Sequence, residues 1–224
     1  MKKGIICGMV LVFMALLLLS GCVQAATNAG TGEDTPLPLA AGEEATSDPY
    51  IIINKDKQEV VLYAEVNAKY FTESTRHGIA FRGGSNGDKA ILRGLGDEKV
   101  FYEAMVAVGF EPSNTLTMED MSKSVSVEGQ ALEVFVSWES QEIPFADAIR
   151  ASEERPMDIR FGGNIEYAKE YNSGCTLCLD SCAVGITSNA AYETGASNSI
   201  DFFGISDVLP AGGTQVKVIF RARE

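Results

Sequence analysis

Basic residues are in short supply in this sequence. Its 224 residues carry 18 Lys and Arg against 31 Asp and Glu, a formal net charge of −13, and no run or face rich in Lys/Arg stands out. A chain of that sign repels phosphate backbones, which argues against nucleic acid as a partner. Long apolar runs are also missing. The longest, from about Ile5 to Leu19, is about 15 residues, where a membrane-spanning helix needs roughly 20. The glycine-rich stretch Gly83-Gly84-Ser85-Asn86-Gly87-Asp88 lacks the following Lys-Ser/Thr of a phosphate-binding loop and reads as a turn between strands. No nucleophile elbow surrounds the serine of Ser74-Thr75-Arg76-His77. The sequence therefore specifies no reaction.

What is present begins at the N-terminus. Met1-Lys2-Lys3, the apolar run and Leu19-Ser20-Gly21-Cys22 follow the order of a secretory signal: positive start, apolar core, small residues before cleavage. Leu-Ser-Gly-Cys resembles a bacterial lipobox, which implies cleavage before Cys22 and a lipid on its sulfur. Several acyl chains, at about 0.8 kcal/mol per buried methylene, give stable anchoring. The expectation is an exported protein of the cell envelope, held on a membrane through Cys22. The signal has no twin-arginine pair, so the chain is expected to cross the membrane unfolded. Loss of residues 1–21 removes Lys2 and Lys3 but no acid, so the mature chain is more acidic still.

Residues 22–48 are rich in Ala, Gly, Thr, Glu and Pro, with Leu37 and Leu39 among the few large apolar residues. Such a segment cannot bury a core and reads as a lipidated flexible tether. Residues 49–224 are apolar enough for one domain. Residues 50–53 and 59–66 are β-branched and partly alternating, with turn chemistry at Asn54-Lys55-Asp56-Lys57, which predicts a hairpin. Residues 79–81, 132–138, 157–161 and 215–220 read as further strands. Val100, Phe101, Ala104, Met105 and Val108 have helical spacing, with Gly109 as a stop. Strands outnumber helices and no βαβ rhythm appears. The expected fold is α+β, strand-rich, with one or two main helices and a cysteine-bearing loop.

Cysteine is the residue that clusters. Cys7 leaves with the signal and Cys22 takes the lipid. The other three stand together in Gly174-Cys175-Thr176-Leu177-Cys178-Leu179-Asp180-Ser181-Cys182, a C-x2-C-x3-C spacing. Thiolates this close in sequence converge on one soft metal centre without long-range precision. Bacterial ferredoxins use C-x2-C-x2-C-x3-C-P for a 4Fe–4S cubane. Only the last three cysteines of that pattern are here, with Asn172 at the first position and Ala183 in place of the proline. Zinc on three thiolates and one further ligand is an alternative. So is a disulfide between two of the three, with no cofactor and a spare thiol left to pair elsewhere or do redox work. A c-type haem is excluded, because Leu179 follows Cys178 where that motif needs His. His77, the single histidine, is the candidate non-cysteine ligand. Asp180 offers a carboxylate between two cysteines, and Arg160 a charge within reach of the cysteine loop.

The stretch from Ile159-Arg160-Phe161-Gly162-Gly163-Asn164 through Cys175, Cys178 and Cys182 to Ile186 resembles the YdjY-domain family. The likeness extends to Leu209-Pro210, to Gly213-Thr214-Gln215-Val216, and upstream to Phe101-Tyr102-Glu103-Ala104-Met105. It implies an exported bacterial protein of a kind described as iron–sulfur binding, with a three-cysteine cluster and no established reaction. Composition and resemblance together lead to an accessory redox or electron-transfer lipoprotein. Its metal ligands would be Cys175, Cys178, Cys182 and His77, and its partner a redox protein the sequence does not identify. The alternative is a non-enzymatic envelope binding domain whose cysteines only brace a loop.

Overall fold

A computed structural model describes residues 38–113 and 116–223. The signal segment and Cys22 lie outside them. Strands β1 (Glu44–Ala45), β2 (Ile51–Asn54), β3 (Glu59–Val66), β4 (His77–Phe81) and β5 (Ala90–Gly94) precede helix α1 (Glu98–Ala107). Then come β6 (Gln130–Trp138), β7 (Gln141–Pro144), β8 (Ile149–Ala151) and β9 (Ile159–Phe161). Helix α2 (Ile165–Tyr171) leads into β10 (Cys175–Cys178), β11 (Thr187–Asn189), β12 (Phe202–Gly204) and β13 (Gln215–Ala222).

The expected hairpin forms: β2 and β3 pair antiparallel, Ile51 opposite Leu62 and Asn54 opposite Glu59. Beyond Leu62 the same edge of β3 changes partner, and Ala64, Glu65 and Val66 pair with Gly94, Arg93 and Leu92 of β5. That second pairing closes a ring of eight strands in the order β3-β13-β6-β9-β11-β10-β4-β5. The strand-rich α+β expectation is thus sharpened to a barrel, which leaves no open edge within the ring. β7 extends β6, and β8 pairs with β12 in a separate two-stranded sheet.

Alternation explains which way the strands face. Val60, Leu62, Ala64 and Val66 of β3, Val216, Val218 and Phe220 of β13, and Leu132, Val134 and Val136 of β6 join one buried core. Val61, Tyr63 and Ile219, from the opposite face, pack with Ile52 and Leu95 in a smaller cluster. Helix α1 starts where Asp97 Oδ1 accepts from Lys99 N at 2.7 Å, an N-cap that satisfies an otherwise orphaned donor. It lays Phe101, Ala104 and Met105 into the main core and ends before Gly109, whose φ of +96° suits a residue without a side chain. Trp138 packs partly buried at the margin of that core.

Two boundaries differ from expectation. Glu44–Ala45, inside the segment read as a tether, pairs with Ile52 and Ile53. Its backbone joins a sheet although its own side chains bury nothing. Cys175 and Cys178 lie on a strand rather than in a loop, and only Cys182 follows in the connection to β11. A four-residue strand buried on both sides leaves no alternation to read. No helix among the described residues is long and apolar enough to cross a membrane.

Candidate metal centre

Residues three apart on a regular strand face opposite ways. Cys175 and Cys178 escape this because β10 is irregular against β4: Cys175 stands opposite Ala80, Leu177 opposite Ile79, and Cys178 opposite His77. The two register shifts, like a bulge, turn both sulfurs away from the core that Leu177 enters. They meet Cys182 in a cluster of their own, against which Met121 and Val184 pack. Cys175 and Cys178 are fully buried and Cys182 is 3% exposed. All three are free thiols.

Position is enforced from several sides. Gly84 and Gly174 touch backbone to backbone, so closely that a Cβ on Gly84 would lie 2.4 Å from Gly174 Cα. The turn read at Gly83-Gly84 therefore abuts the residue before Cys175. Gly174 N also donates to Glu98 Oε1 of α1 at 3.3 Å, and Cys175 N to Ser173 Oγ at 3.2 Å. After β10, Leu179 N donates to Arg76 O and Ile186 N to Cys175 O, at 2.8 and 3.0 Å. Asn164 Nδ2 reaches both Cys182 O and Gly185 O at 3.2 Å. Met121 Sδ accepts from Ala183 N at 3.3 Å, so the turn around Met118–Ser122 roofs the sulfurs.

His77 Nδ1 lies 3.4 Å from Cys175 Sγ. One ring nitrogen of His77 and the sulfurs of Cys175 and Cys178 all fall within 4.8 Å of one another. These three can hold a metal ion. Asn86 Nδ2 approaches Cys175 Sγ at 3.5 Å. A hydrogen bond with Cys178 draws the Cys175 thiol well below its usual range; burial opposes this, and His77 reinforces it. Cys178, hydrogen-bonded to Cys175 and then Cys182 and buried besides, is pushed well above. Cys182 is drawn down by Cys178 against burial, with Arg76 adding its charge. Burial disfavours the Arg76 cation, but Cys182, Cys178 and Asp180 outweigh it and hold the guanidinium charged.

Of the sequence-predicted residues, His77, Cys175 and Cys178 come together as a ligand group, and Cys182 adjoins them. Asp180 does not act as a ligand: its Oδ1 takes Arg76 Nε and Nη2 at 2.9 and 2.7 Å, and its Oδ2 takes Ser197 N at 3.2 Å. Arg160 does not reach the cysteines. Its guanidinium is taken up by Asp158 at 2.8 Å and by Gly129 O. Arg76 was not singled out by the sequence; its only signal was a place next to the single histidine.

The YdjY domain model matches residues 51–221, and the chain belongs to that family. Over 228 aligned residues it is 36% identical to "Uncharacterized protein YdjY" of Escherichia coli (strain K12), covering all of this chain and 96% of that one. No solved structure matches it significantly.

Proposed function

We propose that this protein is an exported, lipid-anchored envelope protein that holds one thiophilic metal ion on His77, Cys175 and Cys178, with Cys182 as the fourth donor. The observation that carries the reading is the spacing of the donors. Ligands on one tetrahedral ion, with about 2.3 Å to sulfur and about 2.0 Å to nitrogen, stand roughly 3.6–3.8 Å apart. The 3.4 Å between His77 Nδ1 and Cys175 Sγ is close to that scale, and the trio stays within 4.8 Å, so a small inward shift brings it onto one ion. In a cubane each thiolate diverges from a different iron, so a 4Fe–4S cluster asks these sulfurs to stand further apart. An odd number of thiols outside the cytoplasm also favours metal, since bound thiolates are withheld from stray pairing.

The chain's own residues supply soft donors, exclude water and offset negative charge through Arg76. Bound iron would supply one-electron chemistry, which suits an accessory electron-transfer role with a redox protein as partner, and bound zinc would supply a brace. The test is purification of the full chain without air, followed by metal analysis and an absorption spectrum. One iron or zinc per chain is the expected result. Several irons with inorganic sulfide would replace the single ion with a cluster. A metal-free protein with a mapped disulfide would overturn the reading.

A further inference from the structure

Two of the three sulfurs have a donor of their own. Asn86 Nδ2 points at Cys175 Sγ, and Cys182 receives the backbone N–H of Val184 and faces Arg76. The hydrogen-bonding neighbours of Cys178 are the other two thiols. Once all three sulfurs are thiolates on an ion, those neighbours have no proton left to give.

Ser188 presents the complementary deficit. It is fully buried, and its Oγ has no hydrogen-bond partner among the described residues. Such a hydroxyl is costly to keep in an apolar site. Ser188 is the ladder partner of Cys178 across β10 and β11. Both side chains border the small space left by the missing side chain of Gly185: a Cβ there would lie 2.9 Å from Ser188 Oγ and 3.0 Å from Cys178 Sγ.

We infer that Ser188 is a positioning residue for the metal site, whose hydroxyl turns to donate to the Cys178 thiolate when the ion is bound. Oγ and Sγ do not meet hydrogen-bond geometry as they stand, so the bond forms when the Ser188 side chain turns to another rotamer toward the sulfur, into the space beside Gly185. Gly185 is required because any side chain there would separate the two atoms. This rests on the metal-binding reading above.

Cobalt(II) is the probe, titrated against a chelator into the reduced full chain without air. Its sulfur-to-metal absorption band reports the thiolates directly. Ser188→Ala is expected to weaken cobalt binding about 10–100-fold, as loss of a partner to a ligand does, and to move the band to lower energy. The same variant should leave the Tm of the metal-free protein unchanged or raised, because it removes an unbonded hydroxyl. Thr187→Val is the control: Thr187 Oγ1 already donates to Thr176 O at 2.8 Å, so its loss lowers the metal-free Tm without moving the band. If wild type binds cobalt and Ser188→Ala binds it equally, the Ser188 inference falls and the metal reading stands. If wild type binds none, both fall. A lowered metal-free Tm for Ser188→Ala would give the hydroxyl a purely structural bond and overturn the inference as well.

Discussion

Arg76 donates twice to one oxygen of Asp180, through Nε at 2.9 Å and Nη2 at 2.7 Å. The pair is lopsided in burial, with the Arg76 side chain 26% exposed and Asp180 fully enclosed. Removing the arginine strands a buried carboxylate that keeps, among the described residues, the Ser197 N–H. Removing the acid lets the guanidinium turn to water. Arg76→Met is therefore expected to cost about 3 kcal/mol, and Asp180→Asn about 1–2 kcal/mol. Urea denaturation of the reduced protein measures both, and the reverse ranking would contradict the burial argument.

The donor group is uneven too. His77, Cys175 and Cys178 share one tight triangle, while Cys182 adjoins it through Cys178. Cys175→Ser and Cys178→Ser should abolish cobalt binding. Cys182→Ser should weaken it without abolishing it, because Cys182 joins as the fourth donor from outside that triangle. Equal loss in all three would contradict that ranking.

Alternation was enough to read β3, β6 and β13 from the chain, because one face of each goes to the main core. The closure of the barrel was not readable. It depends on β3 pairing with β2 along its first half and β5 along its second, which no local pattern encodes. The cysteine group was visible as composition, but its place on a strand was hidden by burial of all four residues. His77 stood out as the single histidine, though 98 residues separate it from Cys175. The ion pair of Arg76 with Asp180 spans 104 residues, and an acid in a short connection gave no sign of it. Ser188 carried no signal at all, since its meaning comes from a missing partner.

The contact of Gly84 with Gly174 ties the turn after β4 to the start of β10. Gly84→Ala would put a methyl 2.4 Å from Gly174 Cα, and backbone on both sides leaves little room to yield. The expected loss is about 1–3 kcal/mol, with weaker cobalt binding because Cys175 is displaced. Gly213→Ala is the comparison: a Cβ there meets nothing within 4 Å, so any cost comes from its φ of +83° alone and cobalt binding stays intact.

Cys22 bears on where this chemistry happens. If its sulfur carries the lipid, Cys22→Ala should move the protein from the membrane fraction to the soluble envelope fraction. Its metal content should not change, since Cys22 is not among the donors. Wild type found soluble in the envelope, or retained in the cytoplasm, would remove the anchor from the proposed function.

Acid should loosen the roof over the sulfurs before it unfolds the barrel. Asp120 accepts from the Thr117 hydroxyl and backbone at 2.6 and 2.8 Å and from Lys123 Nζ at 3.0 Å. The Thr117 hydroxyl first, then Lys123, draws its pKa from 3.8 down to about 2. A carboxylate lowered in the folded state adds stability that is fully present above 3.8 and is lost as pH falls through about 2. The same residue's carbonyl accepts from Thr194 Oγ1 at 2.7 Å, and its neighbour Met121 packs on the cysteines. Oxidation of Met121 by peroxide, followed by mass spectrometry, should therefore accelerate between pH 4 and pH 2 in wild type. Asp120→Asn should show the faster rate throughout that range and no pH dependence across it. A wild-type rate that stays flat to pH 2 would mean that the Asp120 contacts do not hold the roof in place.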